Sequence, residues 1–221
     1  MSLWIKICGV TSVDDARRAV DAGADAVGVN LVPSSKRYVD EPTARAIVNA
    51  LEGAAEVVAV VADRPAEELS VLAARLGLGS LQLHGNEPPA VVLALAPLAY
   101  QAVRIATRED VSRARDFSGA RLLADAKVSG ELGGTGHTFD WSLVTELARE
   151  RALVLAGGLT AANVATAIAR VHPYGVDTAS GVEGTSPRAK DPEKMRAFVR
   201  EARRASRELE LAPPPRAAKL R

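Results

Sequence analysis

Short aliphatic runs recur along the chain. Each is followed by a glycine or polar turn and then by a stretch whose apolar positions repeat with helical spacing. The runs at 4–8, 26–31, 56–61, 80–83, 100–105, 121–125, 152–156 and 174–178 read as strands. Amphipathic helices are predicted at 13–22, 41–51, 66–76, 88–96, 108–115, 141–149, 161–171 and 192–209. Plausible N-caps precede several of them: Thr11 or Ser12, Asp40, Asp140, Thr160 and Asp191. Pro65 and Pro88 suit first-turn positions, and Gly23, Gly53 and Gly77 stand where helix-ending glycines are expected.

Eight strand–helix units argue for a single-domain α/β fold, a (β/α)8 TIM barrel of parallel strands. A doubly wound open sheet would want a GxGxxG turn after its first strand, and Cys8-Gly9-Val10-Thr11 is no such turn. No linker interrupts the pattern. The barrel is expected over residues 1–210, with 211–221 a Pro-rich tail, disordered after Pro213-Pro214-Pro215 breaks the last helix.

Composition narrows the classes. At 221 residues the chain buries a full core without disulfide or metal staples. A net charge of +1 with 25% charged residues gives no field for nucleic acid. A single cysteine forms no internal disulfide and suits a reducing cytoplasm. No apolar run approaches the ~20 residues of a membrane span, and the amino terminus has no signal-peptide layout. Aromatic residues are 4%, so the core is aliphatic and alanine-rich.

The chemically unusual residues gather at the carboxyl ends of the strands, where barrels keep their chemistry. Cys8 ends strand one and Ser34-Ser35-Lys36-Arg37-Tyr38 follows strand two. Gln82-Leu83-His84-Gly85 closes strand four, and Asp125 closes strand six ahead of Gly133-Gly134-Thr135-Gly136. Gly157-Gly158 follows strand seven and Ser180-Gly181 follows strand eight. These last two loops read as a phosphate cradle, since glycines let consecutive N–H groups face an anion; tight turning alone is the plainer reading.

Each of the other candidates has an inert counterpart. Arg37 is a carboxylate clamp or a solvated loop cation. Asp125 shares a face with Leu123 and points into the barrel mouth, where apolar walls would favour its protonated form and a general-acid role; otherwise it caps the next loop. Cys8 is a proton-abstracting or nucleophilic thiolate, aided by a nearby cation such as Lys6, or a small buried hydrophobe. His84 is an acid/base group or a structural hydrogen-bonding residue. His137 and His172 show no metal-ligand spacing. Lys127, the nearest candidate for Schiff-base chemistry, lies just beyond Asp125.

Alternation puts Ile5 and Ile7 on one face of the first strand and Trp4, Lys6 and Cys8 on the other. A lysine facing an apolar helix layer is costly, so Lys6 and Cys8 are expected inside the barrel. Strand eight neighbours strand one on closure, which predicts an interior ion pair between Lys6 and Asp177.

Taken in order, Lys6-Ile7-Cys8-Gly9, Ser35-Lys36-Arg37-Tyr38, Gln82-Leu83-His84-Gly85, Gly133-Gly134-Thr135-Gly136-His137-Thr138-Phe139-Asp140-Trp141, Gly157-Gly158-Leu159 and Ser180-Gly181-Val182-Glu183 resemble the phosphoribosylanthranilate isomerase family of tryptophan biosynthesis. The resemblance implies a cofactor-free Amadori rearrangement of a small phosphorylated substrate by a cytoplasmic enzyme. Nucleic acid and membrane have no part in it, and the chain acts as a monomer or homodimer. By that resemblance Cys8 matches the general base, Asp125 the general acid, and Arg37 the arginine that meets the anthranilate carboxylate. Asn30, Asp63, His137 and Thr178-Ala179 depart from the usual pattern but remove none of these groups.

Overall fold

A computed structural model describes residues 3–126 and 138–211. Its strands are β1 (Trp4–Cys8), β2 (Ala26–Asn30), β3 (Glu56–Val61), β4 (Ser80–Leu83), β5 (Ala99–Ile105), β6 (Arg121–Ala126), β7 (Ala152–Leu155) and β8 (Gly175–Thr178). They pair in parallel, each with the next, and β8 returns to β1, so the sheet closes as the alternation predicted. The helices are α1 (Val13–Asp21), α2 (Glu41–Ala50), α3 (Ala66–Leu76), α4 (Pro89–Ala94), α5 (Arg108–Ala114), α6 (Thr145–Glu150), α7 (Val164–Val171) and α8 (Pro192–Leu211). The tail beyond 211 lies outside the described residues.

Period-two alternation divides the buried side chains into two cores. Ile5, Ile7, Val27, Leu81 and Leu83 face outward into the layer shared with the helices. Trp4, Ala26, Val58, Tyr100, Leu123 and Val154 face the barrel interior. At the amino-terminal end Arg121 plugs the interior. Its guanidinium lies 4.9 Å from the Trp4 ring and 5.1 Å from the Tyr100 ring, and it makes two hydrogen bonds, of 3.0 and 2.6 Å, to Glu56. With the floor filled, the barrel interior opens toward the carboxyl ends of the strands.

Local signals set most helix boundaries. Ser12 caps α1 by accepting from the Asp15 N–H, Asp40 caps α2, and Asp191 accepts from the N–H groups of Glu193 and Lys194. Three expectations shift. Pro65 and Pro88 sit one position earlier, as N-caps of α3 and α4. The stretch at 141–149 opens with a 3-10 turn, Trp141–Val144, before α6 begins. Thr160 does not cap α7 directly: a turn over 161–163, closed by Asn163 N–H on the Thr160 carbonyl, comes first, and Asn163 is the N-cap.

Candidate active site

A cavity of about 470 Å³ opens at the carboxyl ends of the strands. Cys8, Arg37, Asp125, Gly157, Gly158 and Ser180 all line it. Gly181 does not. It lies behind the wall, where a Cβ would stand 2.0 Å from the Leu159 carbonyl oxygen, so its lack of a side chain lets the loops after β7 and β8 touch. His172, by contrast, is an exposed residue ending α7 in the left-handed region, away from the cavity. Lys127, Gly133-Gly134-Thr135-Gly136 and His137 fall outside the described residues.

Cys8 is the last residue of β1 and is buried. Its β2 neighbour is Gly28, where a Cβ would come within 2.7 Å of Cys8 Sγ and 3.0 Å of Lys6 Cε. A glycine there gives the thiol and the lysine stem room to share the interior. Lys6 Nζ donates to Asp177 Oδ2 and to Gln82 Oε1, each at 2.9 Å, which realises the predicted ion pair. Burial alone would weaken the ammonium, but Asp177, with Cys8 and Tyr100, outweighs it and holds Lys6 above its ordinary pKa.

The expected lowering of the thiol pKa does not prevail. Burial pushes Cys8 above its ordinary value of 9.0, and Asp177 pushes the same way. Lys6 and Lys190 pull it down by less. The cation is where the sequence placed it; its effect is to limit a desolvation penalty that the thiol cannot escape inside the barrel.

Behind Cys8 lies a second charged group. Arg37 is buried, and its Nε donates to Glu183 Oε1 at 2.5 Å. Lys190 is buried too, donating to the Ala179 carbonyl at 2.9 Å with Nζ 3.6 Å from Glu183 Oε1. Burial draws Lys190 down to about 8, with Glu183 and Cys8 opposing it. Sequence reading gave no sign of Lys190. An antiparallel bridge between Glu183 and Lys190 brings it in, and no motif announces that bridge.

Across the cavity, Asp125 Oδ1 accepts the N–H of Ala126 at 2.8 Å, and Oδ2 lies 3.5 Å from His84 Nε2. Its surroundings are therefore polar on both oxygens, not the apolar walls expected. His84 Nδ1 meets Gln82 Nε2 at 2.9 Å. Gln82 was expected only as part of a strand-end motif; it links Lys6 on one side of the mouth to His84 on the other.

The loops that close the remaining side follow β7 and β8. Gly157 and Gly158 take φ of 82° and 63°, a conformation that favours glycine. Asn163 Nδ2 holds the Gly158 carbonyl at 2.9 Å, and Ser180 opens a short 3-10 turn, Ser180–Val182. The loops meet where barrels receive anions.

A closed parallel barrel with a lined cavity at its carboxyl face defines a (β/α)8-barrel enzyme. The family profile described as N-(5'phosphoribosyl)anthranilate (PRA) isomerase matches residues 5–201, and the chain belongs to that family. The N-(5'-phosphoribosyl)anthranilate isomerase of Desulforudis audaxviator is 42% identical over 203 residues, covering 91% of this chain and 98% of its own. That of Myxococcus xanthus is 44% identical over 208 residues, covering 92% and 97%. The Thermotoga maritima phosphoribosyl anthranilate isomerase structure superposes with a TM-score of 0.83 at 37% identity, over 90% of this chain and 98% of that one. Another solved isomerase, in complex with reduced 1-(o-carboxyphenylamino)-1-deoxyribulose 5-phosphate, superposes at 0.80 with 36% identity, covering 90% and 98%.

Proposed function

We propose that this chain converts N-(5'-phosphoribosyl)anthranilate to 1-(2-carboxyphenylamino)-1-deoxyribulose 5-phosphate in tryptophan biosynthesis, with Cys8 as general base and Asp125 as general acid. The observation that carries the assignment is their placement. In a chain of this family, thiol and carboxyl line one cavity from β1 and β6, strands well apart around the ring. They flank the space a ribose needs and do not block it.

Asp125 gives a proton to the furanose ring oxygen as the ring opens toward an iminium. Cys8, as thiolate, takes the proton from the adjacent carbon, and the enolamine tautomerises to the aminoketone product. One acid and one base suffice, and no redox or metal cofactor is required. The backbone N–H groups around Gly157, Gly158 and Ser180 receive the phosphate, with Gly181 behind them letting the two loops meet, and Arg37, oriented by Glu183, meets the anthranilate carboxylate. Anchors at both ends of the substrate convert binding energy into orientation at the reacting carbon.

Among the described residues no helix is long and apolar enough to cross a membrane, in keeping with a cytoplasmic enzyme acting on a small phosphorylated metabolite. It works as a monomer or homodimer, with residues 1–210 as the catalytic barrel and 211–221 as an appended tail. The test is turnover of freshly prepared phosphoribosylanthranilate, followed by loss of its fluorescence. Absence of turnover by correctly folded protein would overturn the assignment.

A further inference from the structure

We infer that His84 is a positioning residue for Asp125: it steadies the carboxylate as the proton leaves, and Gln82 and Lys6 prepare it by deciding which ring nitrogen carries hydrogen. This rests on the reading of Asp125 as the general acid.

Lys6 carries an ammonium, a group with donors only. Lys6 Nζ donates to Gln82 Oε1 at 2.9 Å, and the Tyr100 hydroxyl donates to the same oxygen at 3.1 Å. The amide of Gln82 cannot flip without setting its NH₂ against the ammonium. Its Nε2, also a donor only, therefore faces His84 Nδ1 at 2.9 Å. Nδ1 must accept, so the hydrogen of the imidazole sits on Nε2.

That nitrogen is buried and makes no hydrogen bond among the described residues. It faces the carboxyl group instead, 3.5 Å from Asp125 Oδ2, a gap longer than a hydrogen bond. The other oxygen, Oδ1, is already held by the Ala126 N–H at 2.8 Å. Oδ2 is thus the oxygen that carries the transferable proton, with an N–H beside it. As that proton passes to the ring oxygen of the substrate, negative charge grows on Oδ2, and the His84 N–H closes on it. An interaction that strengthens as charge develops accelerates the step instead of tightening substrate binding.

The experiment is steady-state turnover of phosphoribosylanthranilate by a small set of variants, with folding checked by thermal melting. His84→Asn keeps polar atoms near Nδ1 and removes the N–H at Nε2. It is expected to lower kcat about 10- to 100-fold while KM stays within about threefold. His84→Gln reaches the Nε2 position with an amide N–H and is expected to restore kcat to within about fivefold of the parent. Gln82→Glu presents an acceptor to Nδ1, draws the ring hydrogen there, and is expected to reproduce the His84→Asn loss. Adding His84→Asn to Asp125→Asn is expected to cost nothing further, because the residue acts through the carboxyl group.

Unchanged kcat in folded His84→Asn would overturn the inference. So would equal losses in His84→Asn and His84→Gln, or a His84→Asn loss that persists in the Asp125→Asn background. Should His84→Asn fail to fold, His84→Gln and Gln82→Glu decide: loss in the first or normal kcat in the second overturns it. Near-normal turnover of Asp125→Asn is a different result, and it removes the acid assignment itself.

Discussion

The two sides of the barrel mouth are built to different plans. On the β1 and β8 side, charges gather near the thiol: buried Lys6 with Asp177, and buried Arg37 and Lys190 with the partly buried Glu183. On the β4 and β6 side, Asp125 is held by a peptide N–H and faced by an imidazole, and the nearby Arg104 directs Nη2 to the His84 carbonyl. Cations gather around the proposed base, a thiol that is the weaker acid and must ionise inside the protein, whereas the oxygens of the proposed acid meet a peptide N–H and an imidazole. The difference follows from the cost of desolvation, which only a nearby opposite charge offsets for a thiolate.

Removing either of the two groups proposed to react breaks the comparison most severely. Cys8→Ser and Asp125→Asn are each expected to cut kcat by about 10³-fold or more, since a hydroxyl is a far poorer base at neutral pH and an amide has no acidic proton. Thermal melting should remain near the parent and phosphate affinity should hold. Turnover within tenfold of the parent in either variant, measured by loss of substrate fluorescence, would remove that residue from its role.

Lys6→Met tests the crowded side from within. It takes away the partner of Asp177, leaving a buried carboxylate unpaired, and a loss of about 3–5 kcal/mol is expected in urea unfolding. Lys6→Met combined with Asp177→Asn should recover part of that stability but not the activity, because Lys6, the larger influence of the two cations that favour the thiolate, is still missing. Equal instability of single and double variants would show that the charge pair is not what Lys6 contributes.

The crowded side was the more legible of the two in sequence, and the reason is electrostatic. Lys6 and Asp177 announce each other because neither is tolerable alone inside a barrel, and alternation places both inward. Cys8, Asp125 and the glycine loops stood out because they end strands. Gln82 and His84 were visible as residues but not as a link, since the link depends on side chains crossing the interior between Lys6 on β1 and Asp125 on β6. Lys190 was invisible: it lies just before α8, and only the return of the chain past Glu183 carries it inward. The α7 boundary falls later than the periodicity predicts: residues 161–163 form a turn, with Asn163 N–H on the Thr160 carbonyl, and the regular helix begins at Val164. Periodicity reports what a residue's own element does and is silent about side-chain bonds between elements.

A smaller effect separates the two glycine loops from the rest of the mouth. Gly158→Val forces a β-branched residue into φ of 63°, where L side chains are strained. With the loop in its proposed role as anchor of the substrate's phosphate, the expected result is a KM rise of about tenfold or more with kcat changed much less. A fall in kcat at constant KM would place the loop in the chemistry itself.

The smallest effect lies in the pH dependence of stability, where the two buried titratable groups near each other on the crowded side act with opposite signs. Cys8 is raised in the folded protein above its ordinary 9.0, so the fold retains the thiol proton that the unfolded chain gives up. Its contribution is full below pH 9.0 and is lost as pH rises through the higher folded value. Lys190 is depressed from 10.5 to about 8, so the unfolded chain binds the extra proton and stability rises with pH between those values. The two slopes oppose each other above pH 9. Urea unfolding from pH 7 to 10.5 should separate them: Cys8→Ala should gain relative to wild type as pH climbs past 9, and Lys190→Met should lose its advantage over the same span. A Cys8→Ala difference that stayed constant with pH would mean that the thiol titrates alike in the folded and unfolded chains, and that Lys6 and Lys190 fully offset its burial.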